Sequence, residues 1–184
     1  MRLILIRHGK TKESNQSILL GSLPGHLIQE GKNQMKEIAK GIKNGRIQPN
    51  IIISSDLQRA KDSAEIISKE LELKIIYDPL LHERRGGIAE GKKESEINWN
   101  TYEQKPLPHR KHNGGEDFVE VRKRAQQFLK KLRSKQYHTA IIVSHSVFLA
   151  MLISLNKRLN IKEALAQKHI WPVYISIKKK VQKT

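Results

Sequence analysis

Five side chains fall where apolar runs end, and their types suit one kind of chemistry. Arg7-His8-Gly9 follows Leu3-Ile-Leu-Ile6, and Ser144-His145 follows Thr139-Ala-Ile-Ile-Val143. Ser54-Ser55-Asp56 follows Asn50-Ile-Ile-Ile53, with Arg59 one helical turn further on. Glu83 lies in a glycine-containing loop after the run Lys74–Tyr77. Moving a phosphoryl group needs a nucleophile, cations around its equatorial oxygens and an acid for the leaving oxygen. A neutral imidazole is a competent nucleophile near pH 7, and a second histidine, if protonated, adds a cation. Arginine matches phosphate with paired hydrogen bonds that lysine cannot make. An alkoxide leaves poorly, so a glutamate must supply a proton, and the charge of the phosphate itself favours the protonated carboxyl.

The elements that must position these groups are legible from periodicity. Arg2–Ile6, Asn50–Ile53, Lys74–Tyr77, Thr139–Val143 and Trp171–Ile177 read as strands. Helices are expected at Gly31–Gly45, about Leu57–Leu71, Glu116 to about Arg133 and Ser146–Leu155, with a short one near Lys93–Trp99. Asp56 is the expected N-cap of the second. Leu80–Pro108 reads as otherwise irregular. Alternating strands and helices predict a three-layer α/β/α sandwich with a mostly parallel, mixed sheet. Such sheets carry their sites beyond the carboxyl ends of the strands, where the polar residues stand here.

The 184 residues fit one domain, with no internal repeat or linker, and 38% hydrophobic residues argue against disorder. No cysteine is present, which excludes disulfides, thiolate metal sites and cysteine nucleophiles and fits a reducing compartment. The first apolar run is too short for a signal peptide, and none approaches a membrane span, so a soluble, cytoplasmic protein is expected. Lys plus Arg number 35 against 18 Asp plus Glu, a formal charge of +17. That field attracts anions, including weakly bound nucleic acid, but no aromatics interleave with the basic residues. The lysine-rich tail from Lys178 reads as a solvated end, and His26, His82, His109, His112, His138 and His169 as surface or structural residues. His109-Arg110-Lys111-His112 reads as a solvated loop rather than a basic lip over the pocket. A Ser144/His145 nucleophile pair is disfavoured because adjacent strand residues point apart.

Five segments, in order, resemble the histidine phosphatase superfamily, also called phosphoglycerate mutase-like. Arg7-His8-Gly9-Lys10-Thr11 is similar to its Arg-His-Gly-Glu-Thr. Ser54-Ser55-Asp56-Leu57-Gln58-Arg59-Ala60 is similar to its Ser-Ser-Asp-Leu-x-Arg-Ala. Leu81-His82-Glu83 with Gly87 and Gly91 resembles its Leu-x-Glu loop, Gly114-Gly115-Glu116-Asp117 its Gly-Gly-Glu-Ser, and Val143-Ser144-His145-Ser146 its Val-Ser-His-Gly. The resemblance implies that His8 is phosphorylated, that Arg7, Arg59 and His145 hold the phosphoryl group, and that Glu83 is the proton donor that later activates water. It implies no metal and no cofactor. The family often contacts phosphate with an asparagine seven residues after the arginine; that place is Ser14, with Asn15 next to it, so both are candidates. Lys10 replaces an acidic residue, and Ser146 a glycine, where it is expected to tighten the turn. Glu90, Glu94 and Glu116 compete with Glu83 for the acid's role.

The resemblance implies a phosphatase acting on a small phosphorylated substrate. A cofactor-dependent phosphoglycerate mutase is the alternative, but mutases carry a longer insertion with extra arginines, and only Arg110 lies between Arg85 and Gly114. A non-catalytic, nucleic-acid-binding protein on the same fold is disfavoured by the complete set of five residues.

Overall fold

The computed structural model describes residues 1–178; the lysine-rich tail beyond Lys178 lies outside the described residues. Five strands form one sheet in the order β3-β2-β4-β1-β5. They are β1 (Arg2–Arg7), β2 (Ile51–Ser54), β3 (Ile75–Tyr77), β4 (Thr139–Ser144) and β5 (Val173–Ser176). β1, β2, β3 and β4 run parallel, and β5 pairs antiparallel with β1. The expected mostly parallel, mixed sheet is thus observed.

The strand interiors are apolar on both faces because both faces are covered. Leu3, Leu5, Ile51, Ile53, Ala140 and Ile142 pack on α5 (Phe118–Arg133) and α6 (Ser146–Lys157). Their alternates Ile4, Ile6, Ile52, Ile141 and Val143 pack on α2 (Gln29–Lys43) and α3 (Gln58–Leu71). This side-to-side alternation, with period two, lets each short apolar strand bury side chains on both faces and so makes three layers.

The short helix expected near Lys93–Trp99 is a single 3-10 turn at Glu94–Glu96, followed by α4 (Trp99–Glu103); two other short helices, α1 (Lys12–Asn15) and α7 (Ile161–Ala166), were not legible. Each carries only one or two turns, too few for a periodic apolar face. Asp56 is not an N-cap. α3 starts one residue later than Asp56 could cap, with Leu57 in that place, and the Asp56 carboxylate instead meets His82 Nε2. No described helix is long and apolar enough to cross a membrane.

The register sets the site. Arg7 lies opposite Ser144, and Ser54 opposite Val143, so His8, His145 and Ser55 emerge side by side at one sheet edge. α2 docks there by backbone contact. A Cβ on Gly31 would lie 2.2 Å from the Lys10 carbonyl oxygen, and one on Gly9 would lie 2.5 Å from the Gly31 carbonyl oxygen. No side chain can give way there. Gly31→Ala is therefore expected to cost roughly 2 kcal/mol or more in denaturant unfolding, with a correspondingly lower Tm.

Candidate active site

His8 continues the ladder past β1, its backbone N–H donating to the Ser144 carbonyl at 3.0 Å. Its ring Nδ1 lies 2.8 Å from the Gly9 carbonyl oxygen. A carbonyl can only accept, so Nδ1 carries the proton, and the lone pair stands on Nε2. Arg59 Nε faces that lone pair at 3.3 Å. Burial, then the charges of Arg59 and Arg7, hold the imidazole pKa down at about 3. His8 is thus neutral at pH 7, as a nucleophile must be.

This shift predicts a pH dependence of folding. An unfolded histidine protonates near pH 6.5, and folded His8 only near 3. Between these values the unfolded chain binds more protons. The contribution is complete above about pH 6.5 and is lost as pH falls toward 3. Urea melts at pH 7, 5 and 4 are expected to show declining stability, with a shallower decline in His8→Ala.

His145 is fully buried at the N-terminus of α6, with its ring centroid 5.2 Å from that of His8. Its Nε2 lies 2.9 Å from Ser55 Oγ. Ser55 Oγ also accepts from the Leu57 N–H, so its own proton is free to go to Nε2. Nδ1 then keeps its proton and has no partner among the described residues: a buried donor awaiting an acceptor. Burial, then the nearby Arg59, pushes this pKa well below the usual histidine value. This environment disfavours the charged form of His145, and with Nδ1 protonated the ring presents a hydrogen-bond donor.

Arg59 is 1% exposed, and burial lowers its pKa to about 10, so it stays charged. Its two Nη atoms donate to the carbonyls of Gly21, Leu23 and Pro24, which leaves Nε–H aimed at His8. The paired fork expected on phosphate is spent on this loop, and Nε is the donor left at the nucleophile. Arg7 is exposed and lines three adjoining cavities of about 540, 360 and 290 Å³. His8, Arg59, Glu83 and Ser14 share the smallest.

Glu83 is seated on the N-terminus of α6. Its carboxylate accepts from the Val147 N–H at 3.2 Å, the Phe148 N–H at 3.3 Å and the Ser146 hydroxyl at 3.1 Å. Ser146 thus holds the candidate acid, a role that the expected turn-tightening did not include. Ser14 lines the cavity, but its hydroxyl is engaged in a reciprocal cap with the N–H of Thr11 and donates to the Thr11 carbonyl. Asn15 is exposed and lies outside the residues lining that cavity. Lys10 Nζ is paired at 2.7 Å with Glu30, so its charge is largely answered by α2. Ser144 Oγ donates to the Leu81 carbonyl, away from His145, as expected of adjacent strand residues. Among the described residues no three His, Asp or Glu side chains are grouped as metal ligands.

Three supports were not legible in the sequence. Glu90 Oε1 accepts from the Ser22 N–H, the Ser22 hydroxyl and the Gly86 N–H, at 2.7–2.8 Å. It joins the loop that grips Arg59 to the loop that carries Glu83. Arg124 pairs with Glu116 through both arms, at 2.9 and 3.2 Å, and donates to the carbonyls of Leu80, His82 and Glu83. Glu94, another competitor of Glu83, lines the cavity, whereas Glu90 and Glu116 serve as these clamps. Arg124 reads in sequence as one more basic position on a helix; only the fold brings the Glu83 loop to it. Arg124→Met leaves Glu116 buried without its partner. It is expected to cost about 3 kcal/mol, read by urea unfolding, with kcat falling as the Glu83 loop loosens.

Comparison with known proteins agrees with this geometry. Residues 3–176 match the family model of the histidine phosphatase superfamily, branch 1. A relative from Proteus mirabilis, described as probable phosphoglycerate mutase GpmB, is 29% identical over 160 residues, covering 84% of this chain and 74% of its own. The structure of mycobacterial glucosyl-3-phosphoglycerate phosphatase with VO3 superposes with a TM-score of 0.80 at 25% identity, covering 91% of this chain and 87% of that one. Bacillus stearothermophilus YhfR shares the fold with a TM-score of 0.86 at 24% identity, over 96% and 91% of the two chains. With its family motifs gathered at one sheet edge, the chain belongs to the histidine phosphatase superfamily.

Proposed function

We propose that the protein is a phosphomonoesterase that works through a phosphohistidine on His8. The observation that carries this reading is the tautomer of His8: Nδ1–H is held by the Gly9 carbonyl, which leaves the lone pair on Nε2, met by Arg59 Nε–H at 3.3 Å, in a ring that lines the cavity shared with Glu83 and Arg59.

Nε2 attacks phosphorus, the ester P–O bond breaks, and Glu83 gives a proton to the departing oxygen. Water then attacks the phosphohistidine and passes a proton to the Glu83 carboxylate. The P–N bond breaks, and the electron pair returns to Nε2. Arg59 Nε–H, the Arg7 guanidinium and His145 Nδ1–H surround the point where charge spreads over the equatorial oxygens. Arg59 and Glu83 are preplaced by the loops clamped through Glu90 and Arg124, so little reorganisation accompanies the reaction.

Mutase activity is the second reading because relatives bear that name. Arg110, the one arginine between Arg85 and Gly114, donates its Nε–H to the Lys105 carbonyl and lies 3.8 Å from Glu103. That engagement favours hydrolysis, since a mutase needs cations for a substrate carboxylate and must keep water from the phosphohistidine. The test uses p-nitrophenyl phosphate and 3-phosphoglycerate, with and without a bisphosphoglycerate primer. Phosphate release without added metal supports the phosphatase; primer-dependent isomerisation supports the mutase. Orthovanadate, which takes up a five-coordinate geometry like that of phosphorus in flight, is expected to compete with substrate for the same site.

A further inference from the structure

Beyond phosphoryl transfer, the geometry points to a built subsite for the leaving group, and we propose that it selects phosphomonoesters of flat, largely apolar alcohols. The inference rests on the phosphatase reading, because it follows the leaving oxygen outward from Glu83.

The cavity of about 360 Å³ opens directly beside the acid. Arg7, Ser146 and Val147 line both it and the cavity that holds His8 and Glu83. Ser146 donates to Glu83, so an oxygen protonated by Glu83 departs at the mouth of this second cavity. Its walls come from α6, α7 and the segment before β5. Val147, Ala150, Ala164 and Leu165 are apolar, and Trp171 closes the side. The volume lies within the range usual for small-molecule sites, which are mostly apolar with a few placed polar groups.

Here those polar groups are Arg7 and Ser146 at the mouth shared with His8 and Glu83, and Gln167, Lys168 and His169 from the segment between α7 and β5. His169 Nε2 has no hydrogen-bond partner among the described residues, and its ring lies 5.5 Å from that of Trp171. Lys168 stands at the rim. A polyhydroxylated alcohol would leave the hydroxyls along Val147, Ala150, Ala164 and Leu165 unpaired and so would be disfavoured. A planar hydrocarbon body would cover that wall and present a face to the Trp171 indole. The cavity of about 540 Å³ on the other side of Trp171 is lined by His8 itself with Lys10 and Gln34, and neither Glu83 nor Ser146 lines it, so it opens on the nucleophile rather than on the acid. The exposed basic loop near Lys105 and Lys111 makes no contact with His8 and does not bear on the alcohol.

The experiment compares 2-phenylethyl phosphate with ethyl phosphate, two alkyl esters whose alcohols leave with similar ease. The wild-type ratio of kcat/KM is expected to favour 2-phenylethyl phosphate about tenfold, consistent with burial of one aromatic body. That ratio is expected to fall at least threefold in Trp171→Ala and close to unity in Leu165→Glu. Calorimetric titration of both esters into His8→Ala gives the same comparison without turnover, with 2-phenylethyl phosphate expected to bind about tenfold tighter in a Trp171-dependent way. Equal hydrolysis of the two esters by the wild type, or a ratio unchanged in both variants, overturns the subsite and leaves the phosphatase reading standing. Selective, Trp171-dependent binding without hydrolysis of either ester overturns the phosphatase reading and leaves the subsite standing.

Discussion

His8→Ala is expected to reduce phosphate release from every phosphomonoester by about 10⁴-fold or more, since removing a nucleophile deletes the covalent route altogether. The direct measurement is labelling with ³²P substrate, quenched in alkaline detergent and then split into acid- and alkali-treated halves. The wild-type chain carries an acid-labile, base-stable label, as expected of phosphohistidine, and His8→Ala carries none. The fold is expected to survive the change, because the His8 ring makes only two hydrogen bonds among the described residues, to the Gly9 carbonyl and from Arg59 Nε, and belongs to neither apolar core. A normal urea transition at pH 7 therefore accompanies the lost activity. Full activity in His8→Ala would sink the central claim.

The second large effect is at Glu83. Glu83→Gln is expected to lower kcat for alkyl phosphates by about 10²–10⁴-fold, the usual contribution of a positioned proton donor. The loss is expected to be much smaller in the phosphorylation step for p-nitrophenyl phosphate, whose phenolate leaves without a proton. Water attack still lacks its base, so phosphorylated enzyme accumulates. Rapid mixing should then show a burst of nitrophenolate followed by slow turnover. The amide oxygen of Gln can still accept from the Val147 and Phe148 N–H groups, so the seat on α6 persists. Equal loss for both classes of ester would assign Glu83 to substrate positioning rather than proton transfer.

These two residues also show what kind of information each level held. His8 and His145 could be placed from sequence because each stands just past an uninterrupted apolar run, and such runs end at the functional edge of a parallel sheet. Local order and spacing also separated Ser144 from any nucleophilic role, since alternation in a strand sends neighbours to opposite sides. Asp56 was misread because Asx capping is a local preference, and a tertiary partner, His82, outbid it. Ser14 and Asn15 were indistinguishable in sequence; a single short turn, α1, left one facing the cavity and the other exposed.

The sequence by itself determined the layer order, the strand ends that meet and the residue types available for phosphoryl chemistry, because these follow from periodicity and from side-chain chemistry that travels with each residue. Only the tertiary structure decided their states and aims. The lowered basicity of His145 comes from burial beside Arg59, which no local pattern encodes. The aim of Arg59 Nε comes from carbonyls of the loop at Gly21–Pro24, and the seat of Glu83 from the first turn of α6, more than 60 residues away. Glu90 and Arg124 act across similar separations, joining loops whose nearness depends on the packed sheet. Hydrogen bonds and desolvation act through space at a few ångströms, so they become definite only when the chain has brought distant segments together.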